Sequence, residues 1–444
     1  MRRQPLTVLH FTITTARGGV EEHILLHLQG LDRRRFRPVL ACPPVLIPAL
    51  GQDIPSDVEV IPFDRRSPNR MTAAFRFCRI LRQQRVDILH SHMFQASRLA
   101  SPLGRMCGVP LIIETSHGRE SWRKGIKANH AVDRFAGRFV DRYIAVSNAI
   151  ARYLVETKGL PEEKIQVIHN GVDMNKFEPS LSERLGMKKA LGIAEGDPVL
   201  LVVGRLEPQK GHQILLEAMA KIRGEFPDAK LICLGDGALR GKLTESTEKL
   251  SLESAVRFVG FQNNVREWLA MADISVLPSF YEGLPLSAIE SLAAGRPMVA
   301  TAVDGTPEVV IHEKTGLTVP PGDPTAMAEA ICRLLRDPGW AKQLAEVGRE
   351  YVISEFSLDR FARKTQEFYL ESLRMISPRG YAEAGLSDAR SELREAQASE
   401  SSATSDSETC SGVSRKIPKT VQRLLGSDRQ KAQPRPAPRE SSND

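Results

Sequence analysis

Short apolar runs of strand length alternate with longer amphipathic segments along the first 180 residues. Runs at Leu6–Ile13, Val39–Cys42, Val86–His90, Leu111–Glu114 and Tyr143–Val146 read as strands. Between them, Val20–Leu31, Thr72–Gln84 and Ser97–Cys107 have helical length. Strands alternating with helices predict a parallel sheet covered on both faces. Glu178 to Pro198 is polar and charged and reads as a linker. The alternation restarts at Val199–Val203, Lys230–Leu234, Ala255–Val259, Ile274–Leu277, Met298–Thr301 and Gly316–Val319. The pattern predicts two doubly wound α/β domains in tandem, residues 1–178 and 179–357. The amphipathic segment Leu358–Met375 is expected to pack along both, as a crossover helix over 358–377. Past Pro378 periodicity fades and Ser, Arg, Glu and Pro dominate, so 378–444 is expected to be mostly disordered, with a brief helix at Ile417–Leu425.

A chain of 444 residues suits about two domains plus extras. No run approaches ~18 consecutive apolar residues, so no transmembrane helix is expected. The opening MRRQPLTVLHFTITTARGG alternates and lacks a small-residue cleavage site; it reads as a first strand, not a signal peptide. Six scattered cysteines without a CxxC point to a reducing, cytoplasmic setting.

The net charge of +7 is uneven: residues 1–180 carry 27 Lys and Arg against 17 Asp and Glu, about +10, and the remainder about −3. A basic half suits an anionic membrane face, a phosphorylated substrate, nucleic acid or an ordinary solvated surface. Residues 118–142 interleave Arg and Lys with Trp122, Phe135 and Phe139. That suits peripheral contact with the inner membrane face or a phosphate-bearing lipid acceptor, and equally a helix with both phenylalanines in the core. No nucleic-acid-binding module is recognised, and none is expected.

Ligands of open α/β sheets sit beyond the C-terminal strand ends, which directs attention to the strand-to-helix loops. Gly18-Gly19 precede a helix, where bare amides can meet a phosphate or sugar or simply form a tight turn. In VVGRLEPQKG, Arg205 and Lys210 can hold a diphosphate, or stay solvated. Gly235-Asp236-Gly237 lacks the third glycine of a dinucleotide fingerprint and reads as a turn. In SFYEGLPLSAIE, Pro285 fits the first helical turn and Gly295 the C-terminal stop. Glu290 falls about a turn into that helix among Ala288, Ile289 and Leu292. A carboxylate there needs partners, either sugar hydroxyls or an Arg. His90 with His92, and His23 with His27, are pairs without a visible third ligand, so no metal site is expected.

Glu282 and Glu290 stand in the E-x7-E spacing, and the chain resembles the retaining glycosyltransferases of family 4, which have the GT-B fold. Further pieces match in order: TSHG around His117, VSNAI at 146–150, HNGVD at 169–173, GRLEPQKG at 204–211, FVGF at 258–261 and TAVDGTPEVV at 301–310. The resemblance covers about residues 5–375 and implies a donor-side second domain and an acceptor-side first domain. It implies that Arg205 and Lys210 hold the diphosphate of a nucleotide-sugar donor, and Glu290 accepts from the ribose. Glu282, with the amides of Gly283 and Leu284, would hold the donor sugar. Gly18 and Gly19 would close over the phosphate or sugar, and Phe258 and Val259 would flank the nucleobase. His117 would reach the reacting centre and, with Glu282, Arg205 and Lys210, form the catalytic set.

Implied too are retention by front-face attack, with the leaving phosphate as base, and a glycan, lipid-linked or small-molecule acceptor. Glu282 is not assigned as a covalent nucleophile. No DxD motif occurs, so metal-independent departure is expected, as are a fold that survives Lys210→Ala and a hinge within 178–198. Asp304-Gly305 departs from the family's Gly-Gly and leaves donor identity open. The alternatives are a sugar-nucleotide 2-epimerase or a non-catalytic sugar-nucleotide binder.

Overall fold

The computed structural model describes residues 5–65, 69–119, 134–177 and 181–377. The expected disordered tail, the Ile417–Leu425 helix and residues 120–133 with Trp122 lie outside the described residues.

The first sheet has seven parallel strands: β1 (Leu6–Phe11), β2 (Phe36–Cys42), β3 (Glu59–Pro62), β4 (Ile88–His92), β5 (Leu111–Ser116), β6 (Arg142–Ala145) and β7 (Ile165–Val167). Their order is β3-β2-β1-β4-β5-β6-β7. The second has six: β8 (Val199–Val203), β9 (Lys230–Leu234), β10 (Val256–Gly260), β11 (Ile274–Leu277), β12 (Met298–Thr301) and β13 (Leu317–Val319), in the order β10-β9-β8-β11-β12-β13. Central strands are buried along their whole length, as in β1, β4 and β5. Such strands show as unbroken apolar runs, which is why the sequence pattern finds them. The pattern misses β3 and β7, the two edges of the first sheet. Both are short and partly exposed, so neither needs an apolar run.

Strand order reverses between β1 and β4 in the first sheet and between β8 and β11 in the second. Helices leave in opposite directions at such a point, opening a crevice at the C-terminal strand ends. The loops after β1, β8 and β11, which carry Gly18-Gly19, Arg205 with Lys210, and Glu282, therefore fall where topology leaves room for a ligand.

Two expectations change. The presumed linker contains a helix, Leu181–Ala190, packed on the helix Val265–Met271 of the second domain. Its Lys188 is buried and donates to the carbonyls of Glu195 and Asp197, both at 2.8 Å, and pairs with Asp273 at 3.4 Å. A lysine held this way looks polar in sequence but acts as a packing residue, so the helix belongs to the packing of the second domain. The closing helix Leu358–Ile376 has its main contacts in the first domain. A Cβ built on Gly30 would lie 2.7 Å from the Ala362 Cβ, so the two helices touch along their backbones. The Tyr369 hydroxyl sits 2.6 Å from His90 Nδ1 below the sheet's switch point.

Phe135 is 59 % exposed and Phe139 half-buried, their rings edge to face at 5.8 Å. They are not core residues, which removes the ordinary-helix reading for that pair.

Candidate active site

The second domain supplies the charged half of the site. Arg205 follows β8, is exposed, and has no ion-pair partner among the described residues. Lys210 lies in a single turn, Pro208–Lys210, that ends in a left-handed Gly211. That glycine is required, because a Cβ would fall 2.0 Å from the Pro278 carbonyl oxygen. The Lys210 stem lies along Gly204, so its ammonium returns over the strand end. There it meets Glu282, from the loop after β11, at 2.6 Å. Ser279 Oγ donates to the same carboxylate oxygen at 2.7 Å. Gly235, at φ +138, brings the β9 loop against the Gly204 carbonyl, so Gly235-Asp236-Gly237 is the close turn expected.

Asp304 also shapes this loop. It has φ +41, a region glycine favours. Its carboxylate accepts from the Glu282 backbone N–H at 2.9 Å and pairs with Arg119 of the first domain at 2.7 Å. The departure from Gly-Gly thus ties the Glu282 loop to the first domain. Asp304→Gly should relieve the backbone while losing both contacts, leaving stability within about 1 kcal/mol. The ratio of kcat/KM for two sugar nucleotides should shift severalfold; an unchanged ratio would show that Asp304 plays no part in donor choice.

Gly283 is a point where the two domains' backbones pack closely. A Cβ there would lie 1.9 Å from the His117 carbonyl oxygen. Ser147 Oγ donates to the Gly283 carbonyl at 2.9 Å, and Asn170 Nδ2 to that of Leu284 at 3.1 Å. The backbone N–H groups of Gly283 and Leu284 have no acceptor among the described residues. They precede the helix Leu286–Ala293, with Pro285 at its N-cap and a left-handed Gly295 just past its end.

Glu290, on that helix, is half-buried, and its carboxylate has neither hydrogen bond nor ion pair among the described residues. Burial is the main cause that lifts its pKa to about 7; the Glu22 charge adds and Lys176 opposes. The Arg partner that would have made it structural is therefore absent from its described surroundings. Glu22 belongs to the first helix, Gly19–Gly30, so Glu290 looks toward the first domain. Gly19 is exposed, with nothing within 4 Å of a built Cβ, so protein contacts do not explain that glycine.

Phe258 and Val259 lie farther out, at the end of the edge strand β10. Arg240 covers the Phe258 ring at 5.2 Å and donates to its carbonyl at 3.0 Å.

Three groups in this region were not legible in the sequence. Glu308 of the TPE turn accepts from the N–H groups of Asn148 and Ala149, each at 3.0 Å, and from His169 Nε2 at 3.0 Å. VSNAI, HNGVD and TPE are thus parts of one clamp between the domains. Burial alone would raise the Glu308 pKa, but the bonds from His169, Asn148 and Ala149 outweigh it and hold it below 4.5. This stabilisation is present above the unfolded value and is lost as pH falls through the folded one. Glu308→Ala should cost about 1–3 kcal/mol near pH 7 and less in acid, read by denaturant melts at two pH values. A loss independent of pH would contradict the clamp.

Glu21 is the second group, pushed up to about 7 by burial despite a hydrogen bond from Thr14. Six imidazoles are the third: His10, His23, His27, His90, His92 and His117 gather under the first-domain switch point. His92 Nδ1 lies 3.3 Å from His117 Nε2, and the His23 and His117 ring centroids are 4.5 Å apart. Burial holds all six pKa values below 6.5, His10 and His23 at about 3, so they are neutral near pH 7. The i,i+4 and i,i+2 spacings show the pairs but not that β1, β4, β5 and the first helix bring them together.

Sequence comparison agrees with this geometry. Residues 17–176 match Glycosyltransferase Family 4, and residues 184–351 match Glycosyl transferases group 1. The uncharacterised glycosyltransferase MJ1607 of Methanocaldococcus jannaschii is 30% identical over 67% of this chain and 78% of its own. An Escherichia coli UDP-Gal:alpha-D-GlcNAc-diphosphoundecaprenol alpha-1,3-galactosyltransferase is 27% identical over 68% of this chain and 79% of its own. Among solved structures, Anabaena Alr3699/HepE in complex with UDP and glucose superposes with a TM-score of 0.74 at 20% identity, over 82% of this chain and 99% of its own. With two Rossmann-like domains meeting at Gly283, charged loops at the strand ends and these relatives, the chain belongs to the group 1, family 4 glycosyltransferases of GT-B fold.

Proposed function

We propose that this glycosyltransferase takes a UDP-sugar and transfers the sugar, with retention of anomeric configuration, to a glycan or lipid-linked acceptor. The observation that carries the reading is the charge pattern at the β8–β11 switch point. Among the described residues Arg205 has no ion-pair partner, Lys210 is held over the strand end by Glu282, and Glu290 has no partner of its own. Two cations suit a diphosphate, and a carboxylate one turn into the helix Leu286–Ala293, unpaired among the described residues, suits ribose hydroxyls, which donate to it.

In this reading Arg205 and Lys210 stabilise charge as the diphosphate departs, a fixed electrostatic contribution of the kind that dominates many enzymes. Departure then needs no metal ion on the diphosphate. Glu282 aligns Lys210 and, with the free amides of Gly283 and Leu284, meets the donor sugar. His117 reaches the transferred sugar from the first domain, neutral and able to accept or donate one hydrogen bond. Gly18 and Gly19 close over the donor, and Phe258 and Val259 flank the base. Support for UDP comes from HepE, which holds UDP and glucose at this fold, and support for a lipid-linked acceptor from the Escherichia coli relative. A thermal-shift screen of sugar nucleotides, followed by NMR of the anomeric proton of the product, tests donor and stereochemistry together. Stabilisation by no nucleotide sugar, or an inverted product, would overturn the reading.

Peripheral contact with an anionic membrane is part of the same reading, and with it a cytoplasmic position. No helix of the described residues is long and apolar enough to cross a membrane. The helix Arg70–Gln83 contains four arginines and no acidic residue. It buries Ala73, Phe77 and Leu81 and turns Met71 and Phe75, each 72 % exposed, outward beside Arg79 and Arg82. Apolar side chains flanked by arginine suit an interfacial surface. Vesicles with anionic lipid should sediment the protein at low salt, and Met71→Ser/Phe75→Ser should reduce this at least tenfold. Equal sedimentation of both proteins would remove this helix from the contact.

A further inference from the structure

We propose that His23, His92 and His117 form a site for a divalent transition-metal ion of the zinc class, at the floor of the cleft between the domains. Their ligand nitrogens lie within 4.8 Å of one another, and neutral imidazole is a preferred donor for such ions. The separation of His92 Nδ1 from His117 Nε2 is 3.3 Å. Two ligands bound tetrahedrally at ~2.0–2.1 Å stand about 3.3–3.4 Å apart, so this pair already spans one edge of a zinc site. His23 Nδ1 is buried with no hydrogen-bond partner, a free position for a third ligand.

The other imidazoles take supporting places. His10 Nδ1 lies 3.1 Å from His92 Nε2, and His27 Nε2 lies 2.9 Å from His23 Nε2. His92 and His23 can therefore each hand the second ring proton to a neighbour, which fixes the tautomer that leaves the metal-facing nitrogen bare. The deeper trio His10, His27 and His90 is less suited. Both His90 nitrogens are occupied, by the hydroxyls of Tyr369 and Thr115, each at 2.6 Å. All three are fully buried, whereas His117 is half-buried and gives an ion a way in from the cleft.

An ion held there would cap His117 Nε2 and leave a fourth position open toward the cleft. Binding is read directly, so the proposal stands or falls apart from the role of His117 in transfer. The untagged, chelator-treated full chain is titrated with Co²⁺. The expected result is one equivalent bound with the intense visible bands of a tetrahedral ion, displaced by Zn²⁺ and weakened at least a hundredfold in His23→Gln and in His92→Gln. X-ray absorption of the zinc-loaded wild type should count three imidazole nitrogens, and decides the matter if either variant fails to fold. No binding at micromolar metal, a six-coordinate spectrum, fewer than three imidazoles, or undiminished affinity in both folded variants would each overturn the site.

Discussion

Lys210→Ala is expected to lower kcat about 10²–10³-fold, the usual effect of removing one preorganised group that stabilises developing negative charge. The structure adds a second consequence. Glu282 is 7 % exposed and Lys210 17 %, so the pair is largely out of water. Deleting the ammonium leaves a carboxylate with only the Ser279 hydroxyl as side-chain partner among the described residues, which costs about 3 kcal/mol. Lost activity in Lys210→Ala alone would therefore confound chemistry with folding. In Lys210→Met/Glu282→Gln both charges are gone, and the remaining amide can still accept from Ser279. This double variant should recover most of the melting temperature while kcat stays low. Single-turnover measurements at saturating donor separate the two effects. A double variant whose kcat equals that of Glu282→Gln alone would sink the diphosphate assignment, whereas recovered stability with turnover well below that of Glu282→Gln supports it.

Much of this site was legible before any coordinates, and for a physical reason. Parallel strands buried on both faces must be apolar throughout, so β1, β4, β5 and the strands of the second sheet stand out. Once they are placed, the rule that ligands bind past their C-terminal ends selects Arg205, Lys210 and Glu282. What was not legible depended on long-range partners. The short edge strands β3 and β7 carry no apolar run. The helix Leu181–Ala190 looked like a linker because the three acceptors that satisfy Lys188 follow it in sequence by 7 to 85 positions. The clamp on Glu308 joins residues 139 to 160 positions apart, and His10 meets His92 across 82. Local pattern carries no information about such pairs. It also hides that Lys210 and Glu282, read separately as ligands of a donor, hold each other in place.

Affinity for a UDP-sugar should rise about tenfold per pH unit from pH 5 to 7 and level off above, because Glu290 must be ionised to accept from the ribose. Its pKa stands at about 7, raised chiefly by burial. The sign for folding is opposite to that for binding. Below 4.5 the group is protonated in folded and unfolded chains alike. Between 4.5 and 7 the unfolded chain ionises first, so stability falls with rising pH, by about 3 kcal/mol in total. The donor recovers this by hydrogen-bonding the carboxylate, and binding near pH 6 should release close to one proton from Glu290. The diphosphate of a UDP-sugar is fully ionised over this range, so the ligand contributes no slope of its own. Calorimetry in two buffers of different ionisation enthalpy counts the protons. Glu21 also stands at about 7, which makes the control essential. Glu290→Gln should abolish the slope while binding the donor tenfold or more weakly at pH 8. A slope that survives in Glu290→Gln would assign the titration to Glu21 and remove Glu290 from the ribose.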